Sequence, residues 1–170
     1  FFEFSIPRMG KRADNILLIG DSIFVIEFKV GEKNYSASAE NQVFEYSLDL
    51  KNFHKGSYQK KIFPIYISTE SDEIIESEIT EYPDFLYSTT LSNKDNFLIK
   101  IKEIIKNHNV NTNIETDSKE WEESGYLPTP TIIEAATALY EEHDVKEISR
   151  SDSGAKNLSI TSKSIQEIIE

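Results

Sequence analysis

The sequence predicts an α/β domain, and three features predict it. Two β-rich runs, Asn15 to Ile19 and Ser22 to Val30, flank a Gly20-Asp21 dipeptide, which is a hairpin signal. Ser36 to His54 then changes to helical spacing, with Val43, Leu50 and Phe53 recurring on one face. Ile62 to Ser68 follows as a compact apolar strand and completes a ββαβ order.

Taken from the start, Phe2 to Ile6 alternates apolar and polar residues as a half-buried strand does, and Pro7 stops it. The basic residues Arg8, Lys11 and Arg12 come next and are the candidate contacts to nucleic acid. In the second hairpin strand Phe24, Ile26, Phe28 and Val30 are expected in apolar packing. Ile23, Val25, Glu27 and Lys29 share the opposite face, which starts apolar and ends charged, as at a strand end that opens into a cleft. Phe85 to Thr89 reads as a candidate strand, and Phe97 to Ile105 as a helix through Phe97, Leu98, Ile101, Ile104 and Ile105. Asn107 to Gly125 is polar and reads as a loop or excursion, in which Trp121 is a core aromatic. Thr131 to Glu142 reads as a helix capped by Thr131 after Pro128-Thr129-Pro130. Ser149 to Ser164 is linker-like and leads into a last helical run. The expected division is a core over residues 1–106, a polar excursion with an additional helix on or after it over 107–148, and a linker over 149–170.

A length of 170 residues with 38% hydrophobic composition suffices for one domain with a proper core. No stretch approaches the ~20 apolar residues of a membrane span, and Phe1 to Gly10 does not read as a charged-then-apolar leader. A soluble, cytoplasmic protein without a membrane partner is therefore expected. The absence of cysteine excludes disulfides, a thiol nucleophile and cysteine-bearing zinc sites. His54, His108 and His143 have no paired spacing, so any metal is a hard cation held by carboxylates. His54, at the end of the helical stretch, is explained by the helix dipole.

A net charge of −12 speaks against a nucleic-acid partner, but its distribution does not. Through Pro64 there are 9 Lys/Arg and 8 Asp/Glu; from Ile65 onward there are 9 and 22. The first part is close to neutral and free to meet phosphate. The chain opens on Phe1-Phe2 and closes inside a helix-like run, Ser164 to Glu170, so a piece of a longer protein is expected.

The hairpin groups the chemistry. With Gly20-Asp21 as the turn, Ile19 faces Ser22 and Leu17 faces Phe24; further out Asp14 faces Glu27 and Arg12 faces Lys29. Directly opposed residues lie about 4.5–5.5 Å apart at Cβ. Two opposed carboxylates can share a Mg²⁺ or Mn²⁺ and leave positions for water and a phosphate oxygen. Lys29 can hold the attacking water and counter developing negative charge. Gln42 and Tyr46, four apart on the helix, project together and can hydrogen-bond a phosphate or the lysine. The bland alternative is a solvated charge cluster at a sheet edge, with Gln42 and Tyr46 as ordinary amphipathic-helix residues and Arg8 and Arg12 as surface cations.

Asp14, then Glu27-Phe28-Lys29, then Gln42-x-x-x-Tyr46 resembles the PD-(D/E)XK nuclease superfamily in its version with a Gln-x-x-x-Tyr helix motif. Ala13 stands where the motif's proline would be. The resemblance implies a restriction-endonuclease-like, three-layer fold with a central mixed sheet flanked by helices. It also implies Mg²⁺- or Mn²⁺-dependent phosphodiester hydrolysis, with DNA expected over RNA. Asp14 and Glu27 would be the metal ligands, and Asp14, Glu27, Lys29, Gln42 and Tyr46 the catalytic set. The chain is also similar to the N-terminal region of bacterial Schlafen-group-3-like DNA/RNA helicases. The matching stretches are Arg12-Ala13-Asp14, Val25 to Gly31, Gln42-Val43, Leu50 to His54 and Pro128 to Ala136. That likeness implies a helicase domain after residue 170 as a partner in the full-length chain, since no Gly-x-x-x-x-Gly-Lys-Ser/Thr occurs here. It also places the family's opening helix upstream of Phe1. A catalytically inactive nucleic-acid-binding or docking module of such a helicase is the alternative reading.

Overall fold

The hairpin forms where the sequence places it. In a computed structural model of the chain, which describes residues 1–6, 11–76 and 78–126, strands β2 (Lys11–Ile19) and β3 (Ser22–Lys29) pair antiparallel. The register runs from Ile19 opposite Ser22 to Asn15 opposite Ile26. Gly20 opens the turn at φ +61, a conformation that favours glycine, and a Cβ there would also run into the Asn111 carbonyl.

Around the hairpin lies a mixed sheet of seven strands. The other five are β1 (Phe2–Ile6), β4 (Lys61–Ser68), β5 (Glu81–Tyr82), β6 (Leu86–Tyr87) and β7 (Thr90–Ser92). The order is β1-β2-β3-β4-β6-β5, with β7 also pairing β4. β3 and β4 run parallel, joined by helix α1 (Ala37–Phe53) in a βαβ crossover, and β6 and β7 extend the parallel part. Both faces of this centre are buried, which is why β3 and β4 read as near-continuous apolar runs. One face carries Ile23, Val25, Ile62 and Tyr66 against Val43, Tyr46 and Leu50 of α1. The other carries Phe24, Ile26, Phe63, Ile65 and Ile67 against Ile101 and Ile104 of helix α2 (Phe97–Asn107). A fully buried aliphatic or aromatic side chain among these, such as Ile23, Phe24 or Leu50, contributes about 1.5–3 kcal/mol relative to exposure.

Helix α1 starts at Ser36, whose side chain accepts the Ala39 N–H, and ends at His54, which is extended. It carries Glu40 in its first turn and Lys51 in its last, as the helix dipole favours. Lys51 is buried beneath the following turn and donates to the carbonyls of Ser57, Tyr58 and Lys60 at 3.4, 2.9 and 2.7 Å.

Several expectations need correction. Phe85 to Thr89 is strand only over β6: Asp84 and Phe85 adopt left-handed φ of 66° and 62°, which delays its start to Leu86, and the pairing stops at Tyr87 before resuming in β7 at Thr90. Asn107 to Gly125 is not only loop; it holds helix α3 (Ser118–Glu123), capped by Asp117, whose Trp121 enters the α1-side core. The alternation of β1 fails at its start, where Phe2 is 84% exposed and Glu3 has φ 49°. Val30 is 85% exposed because β3 ends at Lys29 and Gly31 turns the chain at φ +81. Arg8, Pro128-Thr129-Pro130, Thr131 to Glu142 and the 149–170 linker lie outside the described residues. Among the described residues no helix is long and apolar enough to cross a membrane.

Candidate active site

The site is assembled at the C-terminal end of β3, where the strand's α1-facing side changes from Ile23 and Val25 to Glu27 and Lys29. α1 runs over the same face and brings Gln42 onto those two side chains, with Tyr46, one turn on, behind it. Glu27 is 4% exposed. Its Oε1 accepts from Lys29 Nζ at 2.8 Å and from Gln42 Nε2 at 2.9 Å. Gln42 Oε1 accepts from the same ammonium at 3.1 Å, and Gln42 Nε2 also donates to the Tyr46 hydroxyl at 2.7 Å. The amide orientation is dictated by its neighbours. The reverse orientation would set the NH₂ group against the ammonium and the carbonyl against the carboxylate.

Asp14 arrives from β2. The β2–β3 ladder stops at Asn15 and Ile26, and Ala13 and Ile16, three apart, both enter the α1-side core. The two-residue alternation therefore slips at Asp14-Asn15, as at a bulge. In a continued register Phe28 would bond Ala13; its N–H instead donates to Asp14 Oδ2 at 2.8 Å. This ties the Asp14 carboxylate to the strand that carries Glu27.

The electrostatics are lopsided. Burial pushes the Glu27 carboxyl above its ordinary range; the Lys29 hydrogen bond opposes this, and the Asp14 charge adds to it. Burial pulls the Lys29 ammonium down, but its bond to Glu27 and the charges of Glu27, Asp14 and Glu32 outweigh this and hold it up. The ion pair thus secures Lys29 without bringing Glu27 down, because Glu27 is the deeper partner and has a like charge beside it. Its other oxygen, Oε2, is buried and has no partner within hydrogen-bond distance, although the Asp14 backbone N–H also acts on the carboxylate and favours its charged form. An unpaired buried carboxylate oxygen is costly, by about 1–3 kcal/mol or more, unless a cation or water meets it.

That orphan oxygen beside Asp14 suits a hard divalent cation. Mg²⁺ is commonly held by one or two carboxylates, with water and substrate phosphate completing its shell. Among the described residues no group of three or more His, Cys, Asp or Glu converges to hold a metal, so any ion at this site would have Asp14 and Glu27 as its carboxylates and would need other ligands besides.

The candidate phosphate-binding cations are placed differently. Arg12 does not face Lys29, because the ladder has ended; it pairs with Ser5 on β1, and its exposed guanidinium meets Glu3 at 3.3 Å. Lys11 is held on α1 by Glu45 at 3.1 Å and Asp49 at 3.5 Å, 5.9 Å from the centre of the Tyr46 ring. Lys51 and Lys61 spend their ammonium groups on backbone carbonyls. The first part of the chain is therefore less free to meet phosphate than its charge count implies.

His54 is not a dipole partner. It is buried, and burial pushes its imidazole down to about 4, with a backbone bond to Trp121 pulling the other way, so it is neutral near pH 7. Its Nδ1 meets Ser57 Oγ at 2.8 Å, and its ring lies 4.5 Å from that of Trp121, which joins α3 to the end of α1. The residue that sequence reasoning missed is Glu32, whose charge acts on Lys29 and whose Oε2 accepts from the Tyr66 hydroxyl at 2.9 Å. Its position three residues after Lys29, past Gly31, was the available signal. Comparison of the chain with family models, curated proteins and solved structures finds no match.

Proposed function

We propose that this chain is a Mg²⁺- or Mn²⁺-dependent nuclease domain that hydrolyses phosphodiester bonds of nucleic acid, DNA before RNA. The supporting observation is the buried, unpartnered Oε2 of Glu27 next to Asp14, with Lys29 bonded to the same glutamate. A buried carboxylate oxygen without a partner, on a side chain that feels a second carboxylate, is a position that a cation can fill. A bound divalent ion would lower the pKa of its water and offset the charge that develops on phosphorus. Asp14 and Glu27 would hold it. Lys29 would orient the attacking water, with Gln42 keeping the ammonium in place. The Tyr46 hydroxyl accepts from Gln42, which leaves its own proton free for a phosphate oxygen.

The mixed sheet with α1 and α2 on its two faces agrees with a restriction-endonuclease-like fold, which belongs to this same proposal. So does its place as the N-terminal module of a larger nuclease-helicase. The rival is a module that binds or docks without cutting. It is favoured by the engagement of Asp14 Oδ2 with the Phe28 N–H and by the ion-paired state of Lys11. A Mn²⁺-dependent cleavage assay on single- and double-stranded DNA and RNA separates them, with Lys29→Ala as control. Cutting lost in Lys29→Ala but kept in Lys94→Ala supports the nuclease. Binding without cutting in the unmodified chain supports the rival.

A further inference from the structure

We infer that Lys29 is the resting cation of the Asp14–Glu27 pair, and that a divalent ion displaces its ammonium from Glu27 onto Gln42. This rests on the metal-site reading above. The geometry gives the ammonium two partners of different kinds. Glu27 Oε1, 2.8 Å away, is a charged oxygen that a divalent ion would also attract. Gln42 Oε1, 3.1 Å away, is a neutral carbonyl on a separate element, outside the carboxylate pair. A doubly charged ion next to Glu27 and Asp14 repels the ammonium strongly in a half-buried site, where the effective dielectric is far below that of water. The Gln42 carbonyl suffers no such conflict. Lys29 has room to swing, since its side chain is still 26% exposed and its four-carbon stem is flexible.

Two consequences follow for the residues themselves. Before metal arrives, the ammonium offsets the repulsion between Asp14 and Glu27, so the pair is held together without an ion. After metal arrives, Gln42 becomes the residue that positions Lys29, and its amide orientation, already set by Glu27 and Tyr46, presents the carbonyl to the ammonium. The lysine would thus leave the carboxylate only when the ion is in place.

Removing the lysine charge should therefore strengthen metal binding while it abolishes cleavage. Free Mn²⁺, followed by electron paramagnetic resonance during titration into the chain at pH 8, reads this directly. Lys29→Met and Lys29→Gln should bind Mn²⁺ about tenfold tighter than the unmodified protein, a factor equivalent to about 1.4 kcal/mol. Equal or weaker binding in both variants overturns the inference while the metal site stands. No Mn²⁺ binding to any of the three proteins overturns the metal-site reading and this inference with it. A second measurement needs no variant: acetylation of Lys29 by acetic anhydride, relative to exposed Lys33, should rise severalfold when Mg²⁺ is added. An unchanged ratio also overturns the inference.

Discussion

The Asp14 carboxylate stands in for a strand partner: its Oδ2 accepts the Phe28 N–H at 2.8 Å just beyond the point where the hairpin ladder ends. One side chain thereby closes the sheet and sets a negative charge beside Glu27. The same slip in alternation that turns Ala13 into the core frees Asp14 for this bond.

Asp14→Ala should cost about 1–3 kcal/mol, because it leaves the half-buried Phe28 N–H without an acceptor. Asp14→Asn keeps an acceptor and removes the charge beside Glu27, so its metal-free stability should stay within about 0.5 kcal/mol of the unmodified protein or exceed it. Urea unfolding of both distinguishes the acceptor from the charge. Equal losses would mean that the bond to Phe28 carries no weight.

The two faces of β3 should respond unequally to truncation. Phe24 is fully buried and stacks on Phe63 at 5.2 Å, so Phe24→Ala should cost about 3–5 kcal/mol. Phe28 is only partly buried at the strand end, and Phe28→Ala should cost roughly half as much. A larger loss at Phe28 than at Phe24 would show that the strand end, not its middle, anchors the sheet.

His54 should make the fold acid-sensitive. Its folded imidazole is near 4 against 6.5 unfolded, so below pH 6.5 the unfolded chain binds the extra proton and stability is lost as pH falls towards 4. The full effect is on the order of 3 kcal/mol. Glu27 acts with the opposite sign: its carboxyl is raised, so the stability it contributes is lost as pH rises from 4.5 through its folded value. The difference between the unmodified protein and His54→Gln cancels Glu27 and isolates His54. If both proteins lose stability in parallel between pH 6.5 and 4, His54 is not the buried neutral group described here.

Gln42→Ala and Tyr46→Phe should each lower cleavage without abolishing Mn²⁺ binding, since Gln42 only donates a hydrogen bond to Glu27, Tyr46 meets Gln42 and not a carboxylate, and neither adds a charged ligand. Loss of Mn²⁺ binding in Tyr46→Phe would mean that the helix coordinates the ion itself.

Much of this arrangement was legible because it rests on local periodicity. The Gly20-Asp21 turn sets the register from Ile19–Ser22 to Asn15–Ile26, and the four-residue step from Gln42 to Tyr46 sets the helix face. What failed depends on where regular pairing stops. Extrapolating the register past Asn15 puts Arg12 opposite Lys29, but the slip at Asp14-Asn15 is invisible in a sequence whose residues there suit either face. His54 looked like a helix-end cation because its burial comes from Trp121, 67 residues later in a segment that reads as polar. The left-handed Phe85 shortens at its start a strand that composition alone begins one residue earlier.

The most direct test of the Asp14–Glu27 pair as a metal site is the melting temperature with and without millimolar Mn²⁺, in the unmodified protein, Glu27→Gln and Asp14→Asn. Glu27→Gln removes a buried charge at nearly constant shape and keeps an acceptor for Lys29, so without metal it should melt at or above the unmodified protein. An ion that binds only the folded state at a hundred times its dissociation constant adds about 2.7 kcal/mol. The unmodified protein should therefore gain several degrees with Mn²⁺, and the two variants should gain little. An equal gain in all three would place the ion elsewhere, most simply among the acidic residues after Ile65, and would contradict the assignment of Asp14 and Glu27.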